Sequence, residues 1–120
     1  MKYFLDTYAI IEIIKGNEHY KKFTDEELFT NILNLYELYY NLVRDQNEVI
    51  AKRYFYQFKE LLIPFTDEHL FKASQIKFKY KKRKISYADA LGYGIALSHN
   101  MRFLTGDKAF KDIENVEFVK

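Results

Sequence analysis

The sequence predicts an α/β domain built on a mainly parallel sheet. Three observations carry this reading. Short apolar runs alternate with longer stretches of helical periodicity, the connections between them are short, and two of the apolar runs stop at an aspartate.

The elements follow in order. "KYFL" (2–5) reads as a short buried strand that stops at Asp6-Thr7. A helix follows, with Ala9, Ile10, Ile13 and Ile14 on one face and a Gly16-Asn17 stop. "ELFTN" (27–31) is a second strand, and "ILNLYELYYNLVRD" (32–45) is a helix that is apolar around most of its circumference. Only Asn34, Glu37, Asn41 and Arg44 give that helix a polar stripe. "EVIAKRYFYQFKELL" (48–62) is another amphipathic helix, and "LLIPF" (61–65) reads as a strand whose Pro64 suits an end or an edge. Helical spacing returns over "DEHLFKASQIKFKYKKR" (67–83). "SYADALGYGIALSHN" (86–100) then places Ala88, Leu91, Gly92, Ile95 and Ala96 on one face, with Ser86 as N-cap. "RFLTGD" (102–107) is a strand ending at an acid, and "VEFV" (116–119) is a closing strand.

Composition narrows the functional classes. At 120 residues, 48% of them hydrophobic, with one Pro and four Gly, the chain is expected to form one globular domain over residues 1–120. The absence of cysteine removes disulfide frameworks, zinc ribbons and thiol nucleophiles, and fits a reducing compartment. No apolar run approaches the ~18 residues a membrane span needs, so a soluble cytoplasmic protein is expected. The net charge of +2 is small but uneven, because "KFKYKKRK" (77–84) holds six basic residues in eight.

Ligands of open parallel sheets gather beyond the carboxyl ends of the strands, where Asp6 and Asp107 both fall. Asp89 lies in the first turn of one helix and Glu37 on the polar stripe of another, so four acids from four elements are candidates for one cleft. Clustered carboxylates raise one another's pKa unless a cation joins them. Hard oxygen donors with few histidines suit Mg²⁺ or Mn²⁺ rather than zinc. Such an ion activates water and orients a phosphodiester, which makes phosphodiester hydrolysis the reaction class.

Four motifs in order then resemble the PIN-domain family, especially its VapC-type toxin ribonucleases. These are the strand–Asp–Thr–helix opening "YFLDTYAII", the helical glutamate in "NLYELYYNL", the Asp-Ala helix start in "SYADALGYGIALSHN", and the strand–Thr–x–Asp–x–x–Phe of "RFLTGDKAF". The resemblance implies a three-layer α/β/α PIN-like domain with a mainly parallel central sheet. It also implies a Mg²⁺- or Mn²⁺-dependent endoribonuclease acting on an RNA substrate. Asp6, Glu37 and Asp89 would be its core metal ligands, Asp107 a weaker or water-mediated one, and Thr7 and Thr105 would orient the ligand carboxylates. It further implies a cognate antitoxin and a homodimer, and the apolar and aromatic helices at "LYELYYNL" and "RYFYQF", which exceed what 120 residues easily bury, are the expected contact surface. Two departures stand out: Asn41 where many relatives carry Gly, and Ala109 where many carry another acid.

Simpler roles stand beside these. Asp6 reads equally as a helix cap worth about 1 kcal/mol, Ser86 and Asp89 as a capping box, Glu37 as part of a solvated stripe, and Asp107 as a turn residue. Within the basic run, Lys81, Lys82, Arg83 and Lys84 are either a solvated helix end or a surface that follows RNA phosphates, with Tyr80 and Tyr87 flanking it. His19, His69 and His99 keep no catalytic company, and Ser86 and Ser98 lack a nucleophile elbow. Two rival functions remain: a PIN nuclease of RNA processing or decay without an antitoxin, and a silent RNA- or protein-binding module.

Overall fold

Strand β1 (Lys2–Leu5) is an inner strand of a four-stranded, wholly parallel sheet in the order β2-β1-β3-β4. Its partners are β2 (Glu27–Phe29) on one side and β3 (Arg102–Thr105) on the other, with β4 (Val116–Phe118) outside β3. The helices are α1 (Thr7–Ile14), α2 (Ile32–Asp45), α3 (Glu48–Lys59), α4 (Asp67–Lys79) and α5 (Tyr87–Ser98). The computed structural model describes residues 1–120 throughout. No helix is long and apolar enough to cross a membrane.

The two-residue period of a strand sends successive side chains to opposite faces, and the core divides accordingly. Phe4 and Phe103 point to one face, where they stack at 5.8 Å and meet α5 through Leu91 and Ile95, with Phe110 and Ile76 completing the cluster. Tyr3, Leu5 and Leu104 point to the other, against Ile10 of α1, Leu35 and Leu38 of α2, and Phe58 of α3. This is the three-layer α/β/α arrangement that the resemblance implied. α5 presses closest, because Gly92 stands against the Phe4 ring where any Cβ would collide.

The structure corrects the reading of "LLIPF" as a strand. Residues 61–65 form no strand; only an isolated bridge links Leu62 to Thr30, with Thr30 N–H donating to Leu61 O and Ile63 N–H donating to Thr30 O. Pro64 has no N–H to extend that pairing, and α4 begins only three residues later. Two helices also stop early. α3 ends at Lys59, and α4 ends at Lys79, after which Lys81–Arg83 form a 3₁₀ turn and Lys84 adopts a left-handed φ of 56°. A further 3₁₀ stretch, Glu18–Asp25, has no clear sequence signal; Tyr20 and Phe23 anchor it, Phe23 edge-on to Tyr3 at 5.1 Å.

Candidate metal centre

Asp6 follows β1 directly and is only 1% exposed. It caps α1, its Oδ1 accepting the Ala9 N–H at 2.8 Å, while its Oδ2 accepts the Thr105 hydroxyl. The sheet register makes the second contact: Leu5 pairs with Leu104, so Thr105 at the end of β3 falls beside Asp6. Burial pushes the Asp6 carboxyl well above the ordinary range, the charge of Asp89 adds to this, and the two hydrogen bonds oppose it.

Asp89 enters from the first turn of α5, where its N–H donates to Ser86 Oγ at 3.1 Å. Its carboxyl is pushed up to about 7, first by burial and then by the charges of Glu37 and Asp107, against the pull of the Ser86 and Asn34 side chains. Glu37 is half-buried on α2, and the Thr7 hydroxyl donates to its Oε1 at 2.8 Å. Asp107 caps the 3₁₀ turn Lys108–Phe110, its Oδ1 accepting the Ala109 N–H at 2.9 Å, while its own N–H donates to Thr105 Oγ1 at 3.0 Å. One hydroxyl, that of Thr105, therefore links the first and fourth acids.

The structure brings Asp6, Glu37, Asp89 and Asp107 into one electrostatic cluster at the carboxyl edge of the parallel sheet. Thr7 and Thr105 are its hydroxyl donors. No three His, Asp or Glu side chains meet as a ready set of metal ligands. In donor chemistry the cluster fits a hard cation, being all-carboxylate and held together against its own repulsion.

Asn34 escaped the sequence reading as a site residue. It is fully buried behind the acids, its Nδ2 donates to Thr7 Oγ1 at 3.1 Å, and its Oδ1 has no hydrogen-bond partner. The available signal was its place on the α2 stripe one turn before Glu37. Of the basic residues, Lys81, Lys82, Arg83 and Lys84 are all exposed, but Arg83 is tied down: its Nη1 donates to Ala109 O at 3.2 Å and Lys111 O at 2.7 Å.

The PIN-domain family model matches residues 3–116. The chain belongs to the PIN-domain family. No curated protein sequence matches it significantly. Solved structures resemble this PIN domain over nearly its whole length. A chain of VapBC-1 from nontypeable Haemophilus influenzae is 21% identical, with a TM-score of 0.76, covering 100% of this chain and 98% of that one. A chain of DNA-bound VapBC from Salmonella typhimurium is 18% identical, with a TM-score of 0.76 and coverage of 99% and 97%. A chain of VapBC2 from Rickettsia felis, bound to a promoter DNA fragment, is 20% identical, with a TM-score of 0.74 and coverage of 99% and 98%. At these identities the likeness establishes the fold.

Proposed function

We propose that this PIN domain is an endoribonuclease that uses Mg²⁺ or Mn²⁺ held by Asp6, Glu37, Asp89 and Asp107, and that it acts in the cytoplasm as the toxin of a toxin–antitoxin pair. The observation that carries the reading is the convergence of four acids from four elements, with Asp89 pushed up to about 7 by burial and its neighbours' charge. A bound divalent cation supplies a Lewis acid and a water acidic enough to attack a phosphodiester.

The chain's own residues supply position. Asp6 is fixed by its two hydrogen bonds, and Thr7 fixes Glu37, so neither carboxylate has to be ordered when a cation arrives. Asp107 has one oxygen committed to the Ala109 N–H, which leaves the other for a weaker or water-mediated contact. Ala109 adds no acid there. The N-terminal end of α5 favours Asp89 in the ionised form that ligation requires.

The toxin role is supported by the surface beside the acids. Tyr36 and Tyr40 on α2 are exposed and, with Glu37 and Asn41, line a shallow pocket, so a partner resting on the two tyrosines would stand at the edge of the acid cluster. The resemblance to VapBC structures points to an antitoxin among the chain's partners.

The test is cleavage of a mixed RNA panel with Mg²⁺, Mn²⁺ or EDTA by wild type, Asp6→Asn and Asp89→Asn. Cleavage that needs the metal and falls at least about 100-fold in both variants is the expected result, since each variant weakens the ion's hold. Wild type that cleaves nothing under any condition would favour the silent binding module. Cleavage that survives in both variants would remove the acid cluster from the chemistry.

A further inference from the structure

The basic run leads directly into the helix that carries Asp89. α4 ends at Lys79, the chain turns through Lys81–Arg83, and it enters α5 at Tyr87, two residues before Asp89. On its other side Arg83 binds Ala109 O and Lys111 O, in the loop that follows Asp107. The turn is thereby fixed between the third and fourth acids. None of Lys81, Lys82 and Lys84 lies within salt-bridge distance of a carboxylate, so these charges are free to meet an anion.

Tyr87 gives this stretch a second chemistry. It is 79% exposed, whereas Tyr20 and Tyr93 are buried with their hydroxyls bonded to backbone carbonyls. Lys77 holds it from one side: the Lys77 ammonium lies 4.3 Å from the Tyr87 ring centroid and donates to Ile85 O at 2.6 Å. An ammonium against a ring, anchored to the backbone, biases the ring's orientation while leaving most of its surface open to solvent. Open aromatic faces beside unpaired lysines suit an unpaired base with its phosphate backbone, because every base has a face to stack and a duplex hides it.

We propose that Tyr87, supported by Lys77, and the ammoniums of Lys81, Lys82 and Lys84 form a subsite for single-stranded RNA flanking the phosphate presented to the acids. The subsite rests on the nuclease reading for its biological use but lies outside the acids and needs no metal. Tyr87 stacks on one base, and the three lysines track the phosphates that follow it.

The test is fluorescence anisotropy of a labelled oligouridine at low salt in EDTA, where cleavage makes no contribution. Tyr87→Ala is expected to bind about tenfold more weakly, and Tyr87→Phe within about twofold of wild type, because the ring and not the hydroxyl is used. Lys81→Ala with Lys82→Ala is expected to flatten the slope of log affinity against log salt by about 1.4, roughly 0.7 for each lost phosphate contact. Circular dichroism melts of the exposed-residue variants should match wild type. Tyr87→Ala binding within twofold of wild type, with loss confined to the lysine variant, would reduce the patch to a general polyanion surface and overturn the subsite. Absent binding by wild type overturns it as well, while metal-dependent cleavage, measured separately, would still stand; binding without such cleavage would retain the subsite and remove the nuclease reading.

Discussion

Asp89 carries an electrostatic conflict that can be read out through stability. Its carboxyl titrates about 7 in the folded chain against an ordinary 3.8, so between those values the folded state holds a proton that the unfolded state has lost. The stability that Asp89 contributes to the metal-free protein must then fall as pH rises from about 4 through about 7. His69 works in the opposite direction. Burial and the charge of His99 lower its pKa from 6.5, and its Nδ1 accepts the Thr66 N–H at 2.9 Å, so the neutral ring is favoured and stability from this source rises with pH up to about 6.5. Comparing wild type with Asp89→Asn at each pH cancels the histidine. In EDTA, Asp89→Asn should gain on wild type as pH rises from 5 to about 7 and then level off, reaching about 1–4 kcal/mol, since each pKa unit is worth about 1.4 kcal/mol. Relief of the neighbouring Asp6 carboxyl adds in the same sense, as Asp89 is the leading charge acting on it. Parallel pH profiles in urea unfolding would show that folding does not raise the Asp89 carboxyl. Added Mn²⁺ should reverse the ranking, stabilising wild type more than the variant.

At the scale of the element, α5 contains two glycines whose surroundings predict opposite signs. A Cβ on Gly92 would lie 2.4 Å from Cε1 of Phe4 and 3.2 Å from the Phe103 ring, and both rings are fully buried between the sheet and α5. Gly92→Ala should destabilise by about 1–3 kcal/mol, the cost of overpacking outweighing the ~1 kcal/mol that alanine gains in a helix interior. A Cβ on Gly94 would meet nothing closer than 3.7 Å, so Gly94→Ala should raise stability by up to about 1 kcal/mol. Equal effects in chemical denaturation would mean that α5 does not sit as closely on β1 as described. Much of this arrangement was legible in the sequence, because strand ends and helix starts are local features. "FLD", "TGD" and the Ser86 cap placed three acids along their elements, and parallel register then set Thr105 beside Asp6. What escaped depends on contacts distant in sequence. The α2 stripe read only as polar, and nothing local marks Asn34 as buried against Thr7, 27 residues away. Similarly, the bonds of Arg83 to Ala109 and Lys111, which turn a charged helix end into a braced loop, have no local signature.

Across the whole molecule, apolar surface is left over after both faces of the sheet are covered. Ile32, Tyr36 and Tyr39 of α2 and Phe55 and Tyr56 of α3 line one continuous groove, with Tyr36 71% and Tyr56 62% exposed. Isolated exposed aromatics are ordinary, but a contiguous group on two packed helices is the kind of surface that a second chain would cover. These rings contribute little to the fold, since exposed side chains away from special features change stability by about 0.5 kcal/mol or less. Tyr36→Ser combined with Tyr56→Ser should therefore leave the melting temperature nearly unchanged and remove self-association. In sedimentation equilibrium, wild type should pass from monomer to homodimer with concentration, and the double variant should remain monomeric over the same range. A wild type that stays monomeric throughout rules out the homodimer and leaves the groove to a different chain. A double variant that still dimerises places the contact elsewhere. Position makes the choice consequential: α2 presents Tyr36 to this groove and Glu37 to the acids in consecutive residues, so whatever occupies the groove also bounds the access of RNA to the site. If the groove is the dimer contact, the double variant should cleave short unpaired RNA at least as fast as wild type, because its acids are untouched and its mouth is wider.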